Sequence, residues 1–345
     1  MKMKKLFLSA LALALAGSTY AVPNSFSDGD IVSAEEMNAN FQHLEQQFQG
    51  TQQALAKTVN CAAGEKIGKA IDDGYTNITV SGTCTENLLF FEEWGDNTFA
   101  LAPRYLKLSG ADSTAKLVDA SGGSENTIFV GAGTTLSIEN LTISGGSYGL
   151  AAYRNSNLLL SGVTIEGFTQ RGISVADSSY LGVNDGGVTI SGGTDASYGI
   201  LLSTGASGWI HTSNISNVET GINLWSQSFT YIYNFSIEAS NRGISLSSGS
   251  TVHMINGGTG TIEGTSDRAV SVSYGVFSNS DGTLEIKNLN GGRGFDFWMS
   301  QGDIKNLKMP DFNNTGSGWN PALNINTNSS LKLGEQRSPD PPMAT

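Results

Sequence analysis

One phrase, repeated seven times between Tyr148 and Phe295, constrains this chain more than any other feature. A polar or aromatic residue precedes Gly, or once Ala, and an apolar residue follows. The copies are Tyr148-Gly149-Leu150, Arg171-Gly172-Ile173, Tyr198-Gly199-Ile200, Thr220-Gly221-Ile222, Arg242-Gly243-Ile244, Arg268-Ala269-Val270 and Arg293-Gly294-Phe295. Successive Gly or Ala positions lie 23, 27, 22, 22, 26 and 25 residues apart. That period, made of short strands with no helix between them, marks a β-solenoid, whose units bury their apolar faces only by stacking. In such a fold each sequence position becomes a column on a surface.

Each later coil reads as three short strands. The first is Gly-Ile-x-Val or similar, the second resembles Asn157-Leu158-Leu159-Leu160 or Tyr231-Ile232-Tyr233, and the third is Val163-Thr164-Ile165, Val188-Thr189-Ile190 or Thr261-Ile262. Apolar residues two apart point inward, where the coils above and below cover them. Earlier segments, such as Asn77 to Val80, Tyr105 to Leu108 and Thr135 to Ile143, fit the same pattern. The 43 glycines, with frequent Ser, Thr and Asn, suit many turns and short strands.

Residues 1–21 read as an export signal. Lys2, Lys4 and Lys5 form its basic end, Leu6 to Ala16 its apolar stretch, and Thr19-Tyr20-Ala21 suits cleavage after Ala21. A secreted or periplasmic bacterial protein is therefore expected, and no later apolar run reaches membrane-spanning length. Without the signal lysines, 16 Lys and Arg face 31 Asp and Glu, a net charge of −15. That balance makes nucleic acid a poor partner, and none is expected, because backbone binding needs clustered cations.

Cys61 and Cys84 would form a disulfide in an oxidising compartment, worth roughly 3 kcal/mol by loop closure; two free thiols are the alternative. No companion ligands stand at metal spacing, so neither a metal site nor a cofactor is expected. Calcium also lacks a motif: the sequence has no close aspartate cluster and no Gly-rich nonapeptide.

Residues 22–60 differ in kind. Ser33 with Glu36 makes a capping box, and Met37, Phe41, Leu44, Phe48 and Leu55 fall on alternating four- and three-residue steps, interrupted at Thr51. A lone helix cannot bury that seam. Two placements stay open: a cap over the solenoid end, or a homotrimer through residues 33–58. The expected layout is a signal at 1–21, a helical capping or oligomerisation segment at 22–60, a β-helix at 61–333 and a loose tail at 334–345 carrying Pro339, Pro341 and Pro342.

The stretch Val59-Asn60-Cys61, then Ile78-Thr79-Val80-Ser81-Gly82-Thr83-Cys84-Thr85-Glu86-Asn87-Leu88, followed by the Gly-Ile coils, resembles the bacterial right-handed parallel β-helix proteins of the pectate-lyase-like group. The resemblance spans roughly residues 59–310 and implies an all-β, three-sheet right-handed parallel β-helix behind a short N-terminal α-helix. Its specificity is for fold, since that group includes lyases, hydrolases, phage tailspikes and adhesins. Residues 26–41 also resemble a leader seen ahead of secreted or fibre-like bacterial domains.

Three columns stand out as candidates. Four of the seven arginines, Arg171, Arg242, Arg268 and Arg293, precede the repeat Gly or Ala. They would make a cationic ladder for carboxylates or sulfates of a glycan. Charge matching by Glu166, Glu238 and Glu263 in the preceding turns, available to three of the four, is the favoured explanation and needs no ligand. After the first strand an outward column reads Tyr153, Ala176, Ser203, Trp225, Ser247, Ser273, Trp298. A second outward row reads Tyr180, Trp209, Tyr231 and, within one residue of register, His253, with His211 and Tyr233 two residues beyond Trp209 and Tyr231. Such rings offer faces to sugars or to another subunit, or simply stabilise the ladder.

The expected function is binding of extracellular polysaccharide, as an adhesin or accessory surface protein. One alternative is a lyase acting on an acidic glycan, with Arg242 or Arg268 beside His253, or Tyr231 beside His211, as cation and base. Another is a fibre-like structural component whose aromatic rows are subunit contacts. A glycoside hydrolase fits less well than a lyase, because Asp177 and Asp296 lie several coils apart rather than as a close carboxylate pair.

Overall fold

Strict alternation of apolar and polar residues, as in Asn157-Leu158-Leu159-Leu160-Ser161, gives strands with one buried face and one facing outward. The computed structural model describes residues 37–42, 55–90, 104–131, 133–255, 257–290, 292–309, 323–326 and 328–333. The chain divides into two units, residues 1–56 and 57–345. In the first, residues 37–42 are helical, with Met37 and Phe41 exposed. The signal and its cleavage site, seam residues Leu44 and Phe48, and the tail 334–345 lie outside the described residues.

The second unit is an all-β parallel solenoid of about ten turns. Each turn gives one strand to each of three sheets. In one turn these are Arg171–Val175 in the first sheet, Tyr180–Val183 in the second and Val188–Ser191 in the third. Each pairs in parallel with its equivalent one turn on, at Tyr198, Ser207 and Ser213. Leu150, Ile173, Ile200, Ile222, Ile244, Val270 and Phe295 are stacked in register and fully buried. Inward residues of all three sheets merge into one continuous apolar core.

Space dictates the repeated glycine. A Cβ at Gly221 would lie 2.3 Å from Ile237 Cγ2 of the third sheet and 2.8 Å from the Gly243 carbonyl oxygen of the next coil. The corner from first to second sheet is turned by consecutive left-handed residues, such as Asp177 and Ser178, or Ser226 and Gln227. Buried serines brace it: Ser179 Oγ accepts from Ser156 N at 3.1 Å, and Ser250 Oγ from Ser228 N at 3.3 Å. The corner from third to first sheet varies instead. In the 22-residue coils the two strands fuse, as Ser213–Leu224 and in Phe235–Ser247, whereas the 27-residue coil inserts a loop at residues 192–197.

At the N-terminal end the structure departs from the sequence reading. Ala56–Asn60, inside the segment read as helical, is a strand paired with Asn77–Ser81, because a strand edge offers backbone partners that local helix preference cannot match. A short helix not anticipated from sequence, Ile67–Asp72, buries Ile67 and Ala70 in the core. Glu86 caps it, accepting from Ile67 N at 2.7 Å and Gly68 N at 3.0 Å. Cys61 and Cys84 are joined as a disulfide.

Candidate functional site

The residues preceding the repeat glycine align as the spacing predicts. Tyr148, Arg171, Tyr198, Thr220, Arg242, Arg268 and Arg293 are direct register partners from coil to coil along the first sheet. Their ion-pair partners differ from those expected. Arg242 Nε donates to Asp267 Oδ2 at 2.8 Å, and Arg268 Nη1 donates to the same oxygen at 3.1 Å. Arg268 Nε lies 2.5 Å from Asp296 Oδ2 without its N–H aimed at that oxygen, an electrostatic contact rather than a hydrogen bond. Arg293 Nη1 reaches Asp296 Oδ2 at 3.5 Å.

The glutamates proposed from sequence do not serve these arginines. Glu166 pairs with Lys116 at 2.6 Å and Glu263 with Lys287 at 3.7 Å, while Glu238 is exposed. Those glutamates end third-sheet strands, which places them beside one another's column rather than on the first sheet. Two aspartates therefore pair with three arginines, leaving one positive charge in excess.

Arg171 is different. Its guanidinium carbon sits 4.5 Å from the Tyr148 ring centroid and 6.0 Å from that of Tyr198, the coils below and above. Nη1 donates to Ser174 Oγ at 3.2 Å, and Ser174 Oγ is 3.1 Å from Tyr153 Oη. Among the described residues no carboxylate stands within ion-pair distance of Arg171. Tyr153 itself is no open platform. Its ring packs edge-on against Phe129 at 5.2 Å, and burial pushes its pKa up.

These columns frame a groove of about 570 Å³ across the outer face of the first sheet. Arg171, Tyr198, Arg242 and Arg268 line one side, Trp225 and Ser247 the other. Asn223, Ser245 and Ser271, in register, form a small polar floor. Glu219, exposed, also lines the groove. Trp225 is 49% exposed and Trp298 46%, with Ser247 and Ser273 on the rungs between them. Ala176 and Ser203, expected outward in that column, are buried, because the corner turn folds over them.

The aromatic row stands on the second sheet. Trp209, Tyr231 and His253 are direct register partners, so His253 needs no register shift. Their ring centroids are 5.4 and 5.8 Å apart in sequence order. Tyr180 does not belong to that row: its partner is Ser207, two residues earlier, and its ring leans over Gly182, where the row has no side chain. His211 and Tyr233 form a neighbouring pair at 4.6 Å. Phe229, missed in the sequence reading, packs 4.7 Å from Tyr231 and 5.5 Å from His253; its position two residues before Tyr231 was the available signal. Trp209 is 38% exposed. The rings pack on one another, as cross-strand stabilisation requires, and still present an aromatic surface.

Residues 94–257, just under half the chain, match the family model described as "Periplasmic copper-binding protein (NosD)". Tailspike protein 2 of the Escherichia coli O157:H7 bacteriophage CAB120 shares the architecture, with a TM-score of 0.52 at 12% identity over 77% of this chain and 43% of that one. The chain is a parallel β-helix repeat protein. It spans less than half the length of that tailspike. No curated protein matches it in sequence.

The donor set does not fit the copper implied by that family description. Among the described residues no three His, Cys, Asp or Glu side chains gather as a metal-binding group. Both cysteines are joined in the disulfide, and His211 and His253 stand two coils apart in neighbouring rows. The Arg–His pairing expected for elimination is likewise not assembled, whereas Tyr231 and His211 stand one coil apart on the second sheet. Arg242 and Arg268 lie on the first sheet, whereas His211, Tyr231 and His253 lie on the second.

Proposed function

We propose that this β-helix is exported and binds an extracellular polysaccharide along the first-sheet groove, as an adhesin or accessory surface protein. The observation that carries this reading is the groove itself: cations and a tyrosine on one side, an exposed tryptophan on the other, and a floor of Asn and Ser. That combination suits sugars, whose ring faces stack on aromatics and whose hydroxyls need short polar partners. The second-sheet row of Trp209, Tyr231, His253 and Phe229 supplies a further aromatic face. Export is supported by the signal-like first 21 residues, the disulfide and the word "periplasmic" in the matching family description.

A glycan array probed with wild type and Trp225→Ala tests the reading. Wild type should bind a polymeric glycan and the variant should bind it about tenfold more weakly, as expected when one stacking face is lost. A blank array for the wild type overturns it.

A further inference from the structure

We infer that the groove takes a glycan bearing an oxyanion, carboxylate or sulfate, and that Arg171 alone of the column arginines receives it; this rests on the polysaccharide reading above. Arg242, Arg268 and Arg293 are held by Asp267 and Asp296, so two of their three charges are balanced within the protein and each guanidinium is engaged. Among the described residues Arg171 has no such partner. It is nevertheless fixed in place, by the rings of Tyr148 and Tyr198 and by the Ser174 hydroxyl. A guanidinium carries five N–H donors in a rigid fork, and one of these is committed to Ser174. The guanidinium also interacts with the Tyr153 hydroxyl, and the Arg171 side chain lines the groove. A cation already immobilised loses little side-chain freedom when it binds, which is the condition for a useful paired hydrogen bond to an oxyanion.

The rest of the groove sets the ligand's shape. Trp225 lies two coils further on and five residues along the strand from the column, about 10 Å by about 16 Å away. One sugar cannot touch both, so the ligand is an oligosaccharide segment with its anion at the Arg171 end and a ring face at Trp225. Glu219 on the same groove opposes anions and limits the charge density that the site accepts.

The test measures binding of the full chain to alginate (carboxylate), dextran sulfate (sulfate) and plain dextran (neutral), at low and high salt. Arg171→Gln, Glu219→Gln and Lys305→Gln are compared; Lys305 is exposed on the opposite corner and controls for net charge. The expected result is at least one anionic polymer bound more tightly than dextran, weakened about tenfold by Arg171→Gln and strengthened by Glu219→Gln. Which polymer responds distinguishes carboxylate from sulfate. Lys305→Gln should change little. Glu219→Gln, at an exposed side chain, reads the same field with opposite sign should Arg171→Gln prove unstable. Equal binding of dextran and both polyanions, or equal effects of Arg171→Gln and Lys305→Gln, overturns the inference and leaves glycan binding standing. Binding to none of the polymers overturns both.

Discussion

Asp267 Oδ2 accepts a 2.8 Å hydrogen bond from Arg242 Nε, across one coil and 25 residues of sequence. The same oxygen serves Arg268, and Asp296 closes the chain to Arg293. The brace is half-buried at Asp267 and more deeply placed at Asp296, whose side chain is 12% exposed. Each aspartate contacts two cations, so depth decides: Asp267→Ala should lower stability by about 1 kcal/mol and the less exposed Asp296→Ala by about 2–3 kcal/mol. Both should raise affinity for dextran sulfate by freeing arginines. Thermal denaturation and polyanion binding check this; unchanged affinity in both variants would show that the arginines are not restrained by the aspartates.

The glycine column gives a steric prediction. Gly221→Ala places a methyl 2.3 Å from Ile237 Cγ2, and overpacking of that kind costs about 2 kcal/mol. At the one position where the column already carries a Cβ, Ala269→Gly should cost less than about 1 kcal/mol. Denaturant unfolding of the two variants compares them, and equal losses would refute the spatial explanation.

Burial pushes the pKa of His253 below its ordinary 6.5. The unfolded chain therefore binds more protons than the folded one between the two values, so stability rises with pH there. The contribution is complete above about 6.5 and is lost as pH falls toward the folded value. His253→Gln should flatten the pH dependence of stability between pH 7 and 5. Chemical denaturation at several pH values measures it, and parallel slopes would sink the idea.

Cys61–Cys84 closes a 23-residue separation that includes the short Ile67–Asp72 helix. Replacing both cysteines by serine should lower stability by roughly 3 kcal/mol. Melting with and without a reductant reports this; a reductant-insensitive wild type would contradict it.

Trimer formation through residues 33–58 remains a proposal. Phe41 is 62% exposed in the described helical turn, as a seam awaiting partners would be. Phe41→Asp should reduce the solution mass from trimer to monomer by light scattering. Identical masses would retire the trimer.

Much of the fold was legible because a solenoid turns sequence spacing into spatial adjacency. Arg242 and Arg268 are 26 apart in sequence and partners in space, and only the coil length was needed to see it. Trp209 and Tyr231 followed from the same count. Tyr180 was misassigned because its coil puts Gly182 at the row position, and a count of aromatics cannot tell a two-residue offset on one face. The strand Ala56–Asn60 was missed because its pairing partner, not its own composition, decides it.

The amino-acid sequence by itself determined the winding, the core columns and the stacking of the arginines, since period and alternation follow from backbone geometry alone. Only the tertiary structure decided which arginines pair with carboxylates and which one packs between tyrosine rings instead. Side-chain reach across a corner depends on the length of that corner. Asp267 and Asp296 reach the arginines, Glu166 and Glu263 turn to lysines, and Arg171 is left between two tyrosine rings beside the groove.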